Sequence, residues 1–319
     1  MTMAAVLSSQ GHVGKHVAVL LCTYDGERFI SAQLDSIAAQ THREWSLWVS
    51  DDGSTDGTMA VLKRYQNLWG TERIMVRSGP GIGFVENFLS LTCNAEIDAA
   101  YYAYSDQDDV WEADKLGRAL AWLETVAEHK PALYCGRTRL VDDNNQSIGM
   151  SPLFSKPPSF ENALVQSIAG GNTMVFNRAA RDLLIETSVI GGVVSHDWWV
   201  YLVVSGCGGQ IFYDPVPSIR YRQHNDNLVG SNTQWGARFA RIRWLMHGRL
   251  RTWSTQHIAA LVKSSGRLTT KNLKTFNRFA SARQQRTVRR IIGLASCKIY
   301  RQTFLGNLGL IVAALLKKI

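Results

Sequence analysis

Two kinds of hydrophobic pattern alternate along the first two-thirds of the chain. Residues 16–24, His16-Val-Ala-Val-Leu-Leu-Cys-Thr-Tyr24, form an unbroken apolar run of strand length, the pattern of a strand covered on both faces. Ile30, Leu34 and Ile37 then recur at helical spacing, which places a helix after the Asp25-Gly26-Glu27 turn. The alternation continues with a strand over 45–50, a helix from about Met59, a strand near 73–77 and a helix over 84–91. Tyr101 to Ser105 is a short aromatic strand, and 115–127 is an amphipathic helix with Leu116, Leu120 and Leu123 on its apolar side. Strands follow over 132–135 and near 210–213. Between them lie a polar, proline-bearing loop over 142–160, a glycine-led turn into a strand at 170–176, and an apolar helix running from Ser195-His196-Asp197 to Val204. Strand–helix alternation of this kind predicts an α/β fold with a right-handed, mostly parallel sheet. Each strand ends in polar residues, so the loops gather along one edge, where the site is expected.

Composition fits a globular chain: 319 residues, 45% apolar and 19% charged. The five cysteines are odd in number and widely spaced, which favours free thiols in a reducing compartment. Residues 1–16 read as a loose tail without a secretory signal. The charge changes the picture more. Residues 1–230 have a net charge of −9, whereas 231–319 contain 18 Lys/Arg and no Asp or Glu, a net of +18. A catalytic region over 17–230 and a basic region over 231–319 are therefore expected.

The chemistry centres on Ser105-Asp106-Gln107-Asp108-Asp109-Val110-Trp111. Three carboxylates within four residues repel one another unless they face water or hold a cation. A hard ion, Mg²⁺ or Mn²⁺, shared with substrate phosphates would relieve that repulsion. An acidic loop capping the next helix is the alternative. Gly79-Pro80-Gly81-Ile82-Gly83 lacks the G-x-G-x-x-G spacing and follows the third strand, so a dinucleotide loop is excluded in favour of a sharp turn. Gly171 and Asn172 suit close backbone approach to a ligand. Asp197 is either an ordinary first-turn residue or a general base. Arg222 and His224 are candidate diphosphate contacts.

In this order, Thr23-Tyr24-Asp25, Asp51-Asp52-Gly53-Ser54-Thr55-Asp56-Gly57-Thr58, Asp106-Gln107-Asp108-Asp109, the Gly170–Phe176 turn and His196-Asp197 resemble the motifs of family 2 nucleotide-sugar glycosyltransferases. The resemblance covers about residues 16–230 and implies a GT-A, Rossmann-like fold. The wording around Asp106 and Tyr221-Arg222-Gln223-His224 is similar to a bacterial subset that includes rhamnosyltransferases for surface polysaccharides. It implies that Thr23, Tyr24, Asp25 and Asp52 line a nucleotide pocket, with Asp106 facing the ribose or sugar. It further implies that Asp108 binds the metal and Asp197 is the base. The family's usual pair is Glu-Asp, so His196 stands where an acid is usual and is itself a candidate contact or rival base.

The basic region carries Trp235, Phe239, Ile242, Met246, Leu250, Trp253, His257 and Leu261 at steps of three or four. This stripe with interspersed arginines predicts an amphipathic helix on an anionic membrane surface. A helical tail that only covers the catalytic domain is the alternative. Residues 308–316 are apolar but too few to span a bilayer. The reading is thus an inverting, metal-dependent glycosyltransferase, peripheral on the cytoplasmic face of the inner membrane. Its expected donor is a nucleotide sugar, with dTDP-L-rhamnose first choice, and its acceptor a glycan or lipid-linked hydroxyl. A non-catalytic sugar-binding module and a nucleic-acid binder are the alternatives. No nucleic-acid motif accompanies the charge.

Overall fold

The computed structural model describes residues 15–188, 192–223 and 249–319. Strand β1 (Val17–Thr23) is buried at every position and pairs in parallel with β2 (Trp45–Asp51) on one side and β4 (Tyr101–Ser105) on the other. Its side chains alternate between two hydrophobic layers, as a period of two requires. Val17, Val19 and Leu21 pack with helices α1 (Ile30–Ala38), α2 (Thr58–Trp69) and α4 (Lys115–Leu123). Ala18, Leu20 and Cys22 pack with α3 (Phe84–Thr92), α6 (Arg178–Glu186) and α7 (His196–Gly206). Strand β3 (Ile74–Ser78) extends the sheet beyond β2. On the far side lie β6 (Ala132–Gly136), β9 (Val175–Asn177) and β10 (Gln210–Asp214), giving the order β10-β6-β9-β4-β1-β2-β3. Among the described residues only β9 runs antiparallel to its neighbours in this sheet, so the sheet is mixed and mostly parallel.

A second sheet, not foreseen from the pattern, joins β5 (Val110–Trp111), β11 (Ile219–Arg222), β7 (Arg139–Val141) and β8 (Ser147–Met150) in that order. Strand β8 lies within the stretch read as a loop over 142–160, and α4 stops at Leu123 rather than Ala127. A short helix, α5 (Phe160–Ala163), begins where that stretch ends.

Four more helices follow: α8 (Arg249–Lys263), α9 (Thr270–Gln284), α10 (Thr287–Ser296) and α11 (Phe304–Leu315). They share one hydrophobic cluster with α7. The described half of the aromatic stripe faces inward. Leu250, His257 and Leu261 are buried, and Trp253 and His257 meet Trp198 at 6.0 and 4.6 Å. Trp235, Phe239, Ile242 and Met246 lie outside the described residues. Among the described residues, no helix is long and apolar enough to cross a membrane.

Candidate active site

The C-terminal ends of β1 and β2 finish level, because Thr23 pairs with Asp51, and β4 ends two residues earlier on the same edge, with Ser105 opposite Leu21. At the first of these ends, Thr23 Oγ1 donates to Asp51 Oδ1 at 2.7 Å, while Asp51 Oδ2 accepts from the Ser54 N–H at 2.9 Å. Asp51 therefore holds its own loop. Asp52 turns the other way and accepts from the N–H groups of Gly81 (2.6 Å) and Gly83 (2.8 Å). Both glycines have positive φ, which makes the turn foreseen at 79–83 accessible to them and not to other residues. Asp25 is left-handed at φ 45°, fixed by the Thr55 N–H donating to its Oδ1 at 2.7 Å. Asp tolerates this region better than most residues because its short side chain can hydrogen-bond locally. Tyr24 is 59% exposed, and the Gln107 amide clamps its N–H and C=O at 2.9 Å each. Thr23, Tyr24, Asp25 and Asp52 thus share one edge with the acidic stretch.

In that stretch, desolvation and then the charges of Asp108 and Asp197 push the Asp106 carboxyl up to about 8. Asp109 is fully buried and is held well above the usual carboxylate range by burial, Asp108 and Asp106. Hydrogen bonds from Asn172 Nδ2 and the Arg222 N–H oppose that shift. The crowding that raises Asp106 and Asp109 is a negative field that a cation would neutralise. Their oxygens are the hard donors that Mg²⁺ or Mn²⁺ prefers. Among the described residues no three His, Cys, Asp or Glu side chains form a ready metal cage. An ion completed by a ligand's phosphates needs only one or two carboxylates.

Asp197 is the one residue of α7 that is not buried. Its Oδ1 accepts from Ser195 Oγ (2.5 Å) and from the Trp198 N–H (2.6 Å), which fixes the carboxylate while Oδ2 keeps no hydrogen bond among the described residues. Its charge reaches Asp106, so the start of α7 and the end of β4 bring these two carboxylates near each other.

His196 has a different setting. It is 4% exposed, stacked on Phe88 at 4.0 Å and edge-on to Tyr104 at 4.9 Å. Neither ring nitrogen has a hydrogen-bond partner among the described residues. Burial pulls its pKa down to about 4, against the pull of Asp197. The expectation that His196 contacts a ligand or rivals Asp197 as base therefore meets a neutral core histidine. Gly171 lies directly against it, since a Cβ there would collide with His196 Nε2. Asn172 is buried on Asp109.

Arg222, expected near a diphosphate, is 3% exposed. It donates to the main-chain carbonyls of Asp108 (2.9 Å), Asp142 (3.2 Å) and Asp143 (2.7 Å). In this arrangement it braces the acidic loop against the second sheet. His224 lies outside the described residues.

Sequence reading gave two residues of the site no role in it. Lys115 is fully buried with its Nζ 3.9 Å from the centre of the Trp111 ring, and burial pulls its pKa down to about 7, opposed by Asp109. Burial, then Asp109, Asp106 and Asp108, raise the Tyr221 hydroxyl. No local spacing announces either, because both meet the acids through tertiary structure.

The Glycosyl transferase family 2 model matches residues 18–186, ending before His196-Asp197. Among curated proteins, dTDP-rhamnosyl transferase RfbG of Shigella flexneri is 26% identical over 241 residues, covering 70% of this chain and 78% of that protein. The putative teichuronic acid biosynthesis glycosyltransferase TuaG of Bacillus subtilis (strain 168) is 28% identical over 169 residues. That match covers 51% of this chain and 62% of TuaG. Among solved structures, S. aureus TarS 1–349 in complex with UDP-GlcNAc superposes with a TM-score of 0.52 at 13% identity, over 89% of this chain and 90% of that one.

Proposed function

The chain belongs to glycosyl transferase family 2, and on that premise we propose that it is an inverting, metal-dependent transferase. It moves a sugar from a nucleoside-diphosphate donor to a glycan or lipid-linked hydroxyl in surface-polysaccharide synthesis. The likeness to RfbG supports dTDP-L-rhamnose as donor. Thr23, Tyr24, Asp25 and Asp52 receive the nucleoside, and Asp106 faces the ribose or the sugar. Asp108 holds Mg²⁺ or Mn²⁺, which supplies Lewis-acid stabilisation of the departing diphosphate when bound. The enzyme works as a peripheral protein at the cytoplasmic face of the inner membrane, where an anionic surface and lipid-linked acceptors meet.

In the reaction the acceptor oxygen forms a bond to the anomeric carbon from the face opposite the diphosphate. The bond from that carbon to the diphosphate oxygen breaks, and its electron pair leaves with the diphosphate. The hydroxyl proton passes to Asp197 Oδ2. One displacement inverts the configuration and needs no covalent enzyme intermediate.

The observation that carries this reading is the setting of Asp197: partly exposed, fixed through Oδ1, and close enough in charge to be felt by Asp106. General-base assistance is worth about 10²–10⁴ in rate. Asp197→Asn should therefore lower kcat at saturating donor and acceptor by at least about 10², with donor affinity little changed. Near wild-type turnover in that variant would remove Asp197 as the base.

A further inference from the structure

Helix α11 has two faces of the same apolar character and only one of them is covered. Leu310, Ala313 and Ala314 are buried against the protein. On the other side Phe304, Leu308, Ile311 and Leu315 are 83, 50, 56 and 47% exposed. They recur at i, i+4, i+7 and i+11, a single stripe along the helix. The helix carries no charged residue from Phe304 to Leu315. Val288 and Ile292 of the neighbouring α10 are exposed as well.

Cations gather at one end of this face. Arg290 donates to the carbonyls of Ala314 (2.6 Å) and Leu315 (3.2 Å), so the first turn of α10 lies beside the last turn of α11. Arg286 just before α10, Arg289 on it and Lys317 after α11 are exposed there, with Lys318 next in the chain. Residues 249–319 contain 15 Lys/Arg and no Asp or Glu. Two copies of so cationic a surface repel each other, whereas an anionic lipid surface complements it. Twelve residues extend about 18 Å, too short to cross a hydrocarbon core of about 30 Å, but suited to lying flat in the interface.

We propose that α11 is the membrane-docking element, inserting Phe304, Leu308, Ile311 and Leu315 into an anionic leaflet while the cations of α10 and the 317–318 turn meet lipid headgroups. This rests on the peripheral-membrane reading above and moves the contact away from α8, whose described stripe is buried. The docked face has a fixed relation to the site. Gln302 exchanges hydrogen bonds with the Lys156 main chain at 3.2 and 3.1 Å, Asn162 Nδ2 donates to the Tyr300 carbonyl at 2.9 Å, and Arg301 Nη1 donates to the Val165 carbonyl at 3.1 Å. Those contacts lie on the segment that leads to Gly171 and Asn172, so insertion of α11 orients the catalytic cleft relative to the leaflet.

The test is flotation of the full-length protein with vesicles of phosphatidylcholine alone and of phosphatidylcholine mixed with phosphatidylglycerol, without donor or acceptor. The wild type should float with the anionic vesicles and be released by salt. The triple substitution Leu308→Ser, Ile311→Ser, Leu315→Ser should lower partitioning by about tenfold or more. Lys317→Gln with Lys318→Gln should weaken binding several-fold to anionic vesicles only. Melting temperature and nucleotide-sugar hydrolysis in vesicle-free buffer should stay at wild-type values in both. Undiminished flotation of the triple variant, or equal flotation with neutral vesicles, overturns the proposal. So does self-association in sedimentation velocity that the triple variant abolishes while neither protein floats. A protein that floats as expected but transfers no sugar refutes the reaction alone.

Discussion

Acidification should destabilise this fold through His196. The ring is enclosed by Phe88, Tyr104, Phe84 and Gly171, and among the described residues Asp197 is the charge that acts on it. Its pKa lies near 4 in the folded chain, against 6.5 for an unperturbed imidazole. The unfolded chain therefore binds more protons below pH 6.5. The contribution of neutral His196 is complete above that pH, is lost as pH falls from 6.5 towards 4, and levels off below 4. Integrating over the window gives a loss of about 2 kcal/mol by pH 5 and about 3 kcal/mol by pH 4. Asp106 and Asp109 have raised values and act in the opposite sense, so total stability is not the readout. His196→Leu removes the titration and, with it, ring contacts whose contribution does not depend on pH. Urea unfolding of wild type and variant at pH 7, 6 and 5 should show the wild-type advantage shrinking by about 2 kcal/mol. Parallel stability–pH curves would refute a buried neutral imidazole and return His196 to the list of groups open to solvent and substrate.

Asp108→Ala should abolish the Mn²⁺-dependent part of nucleoside-diphosphate binding in calorimetry while the circular dichroism spectrum is unchanged; equal affinity with and without chelator would remove the metal. Gly171→Ala places a methyl group on His196 Nε2, which the aromatic neighbours hold in place, and should lower unfolding free energy by about 1–3 kcal/mol. Wild-type stability there would contradict the close approach. Arg222→Met takes the guanidinium away from the carbonyls of Asp108, Asp142 and Asp143, of which Asp142 keeps the Asn145 N–H, and should cost about 2–4 kcal/mol in urea unfolding, whereas a loss confined to donor affinity would assign it to the diphosphate.

The strands of the large sheet of five residues or more were legible because their apolar runs are long enough to show a pattern, and the three-residue β9 was found from the glycine turn that leads into it. The second sheet was not, because β5, β7, β8 and β11 have two to four residues each, too few for any period to emerge. The carboxylate cluster was legible as composition. Its bracing was not, since the Arg222–Asp109 contact spans 113 residues and the Asn172–Asp109 contact 63. His196 and Asp197 show a different limit. Adjacent residues at a helix start point about 100° apart, so the sequence names the pair while only the packing of α7 decides which member reaches the cleft. Lys115 falls on the apolar side of α4 with nothing in its spacing to separate it from an ordinary helix-start lysine.

The basic helices show why periodicity alone misplaces a surface. A stripe at helical spacing tells which side of a helix is apolar and not what covers it. In α8 that cover is α7, a helix buried at every position apart from Asp197 and so enclosed on every side. The sheet encloses one side, and Trp253, His257 and the residues of α9 enclose another. Asn272 Nδ2 then donates to the carbonyls of Ser205 (3.0 Å) and Gly206 (2.9 Å), satisfying the C-terminal end of the same helix. The proposed base thus stands on a helix whose far end and outer face are held by the basic region. Deleting residues 231–319 would uncover α7 as well as remove α11, so a deletion confounds lipid binding with the integrity of the site. Point substitutions on the exposed stripe of α11 leave the cover of α7 in place, and only they separate the two roles.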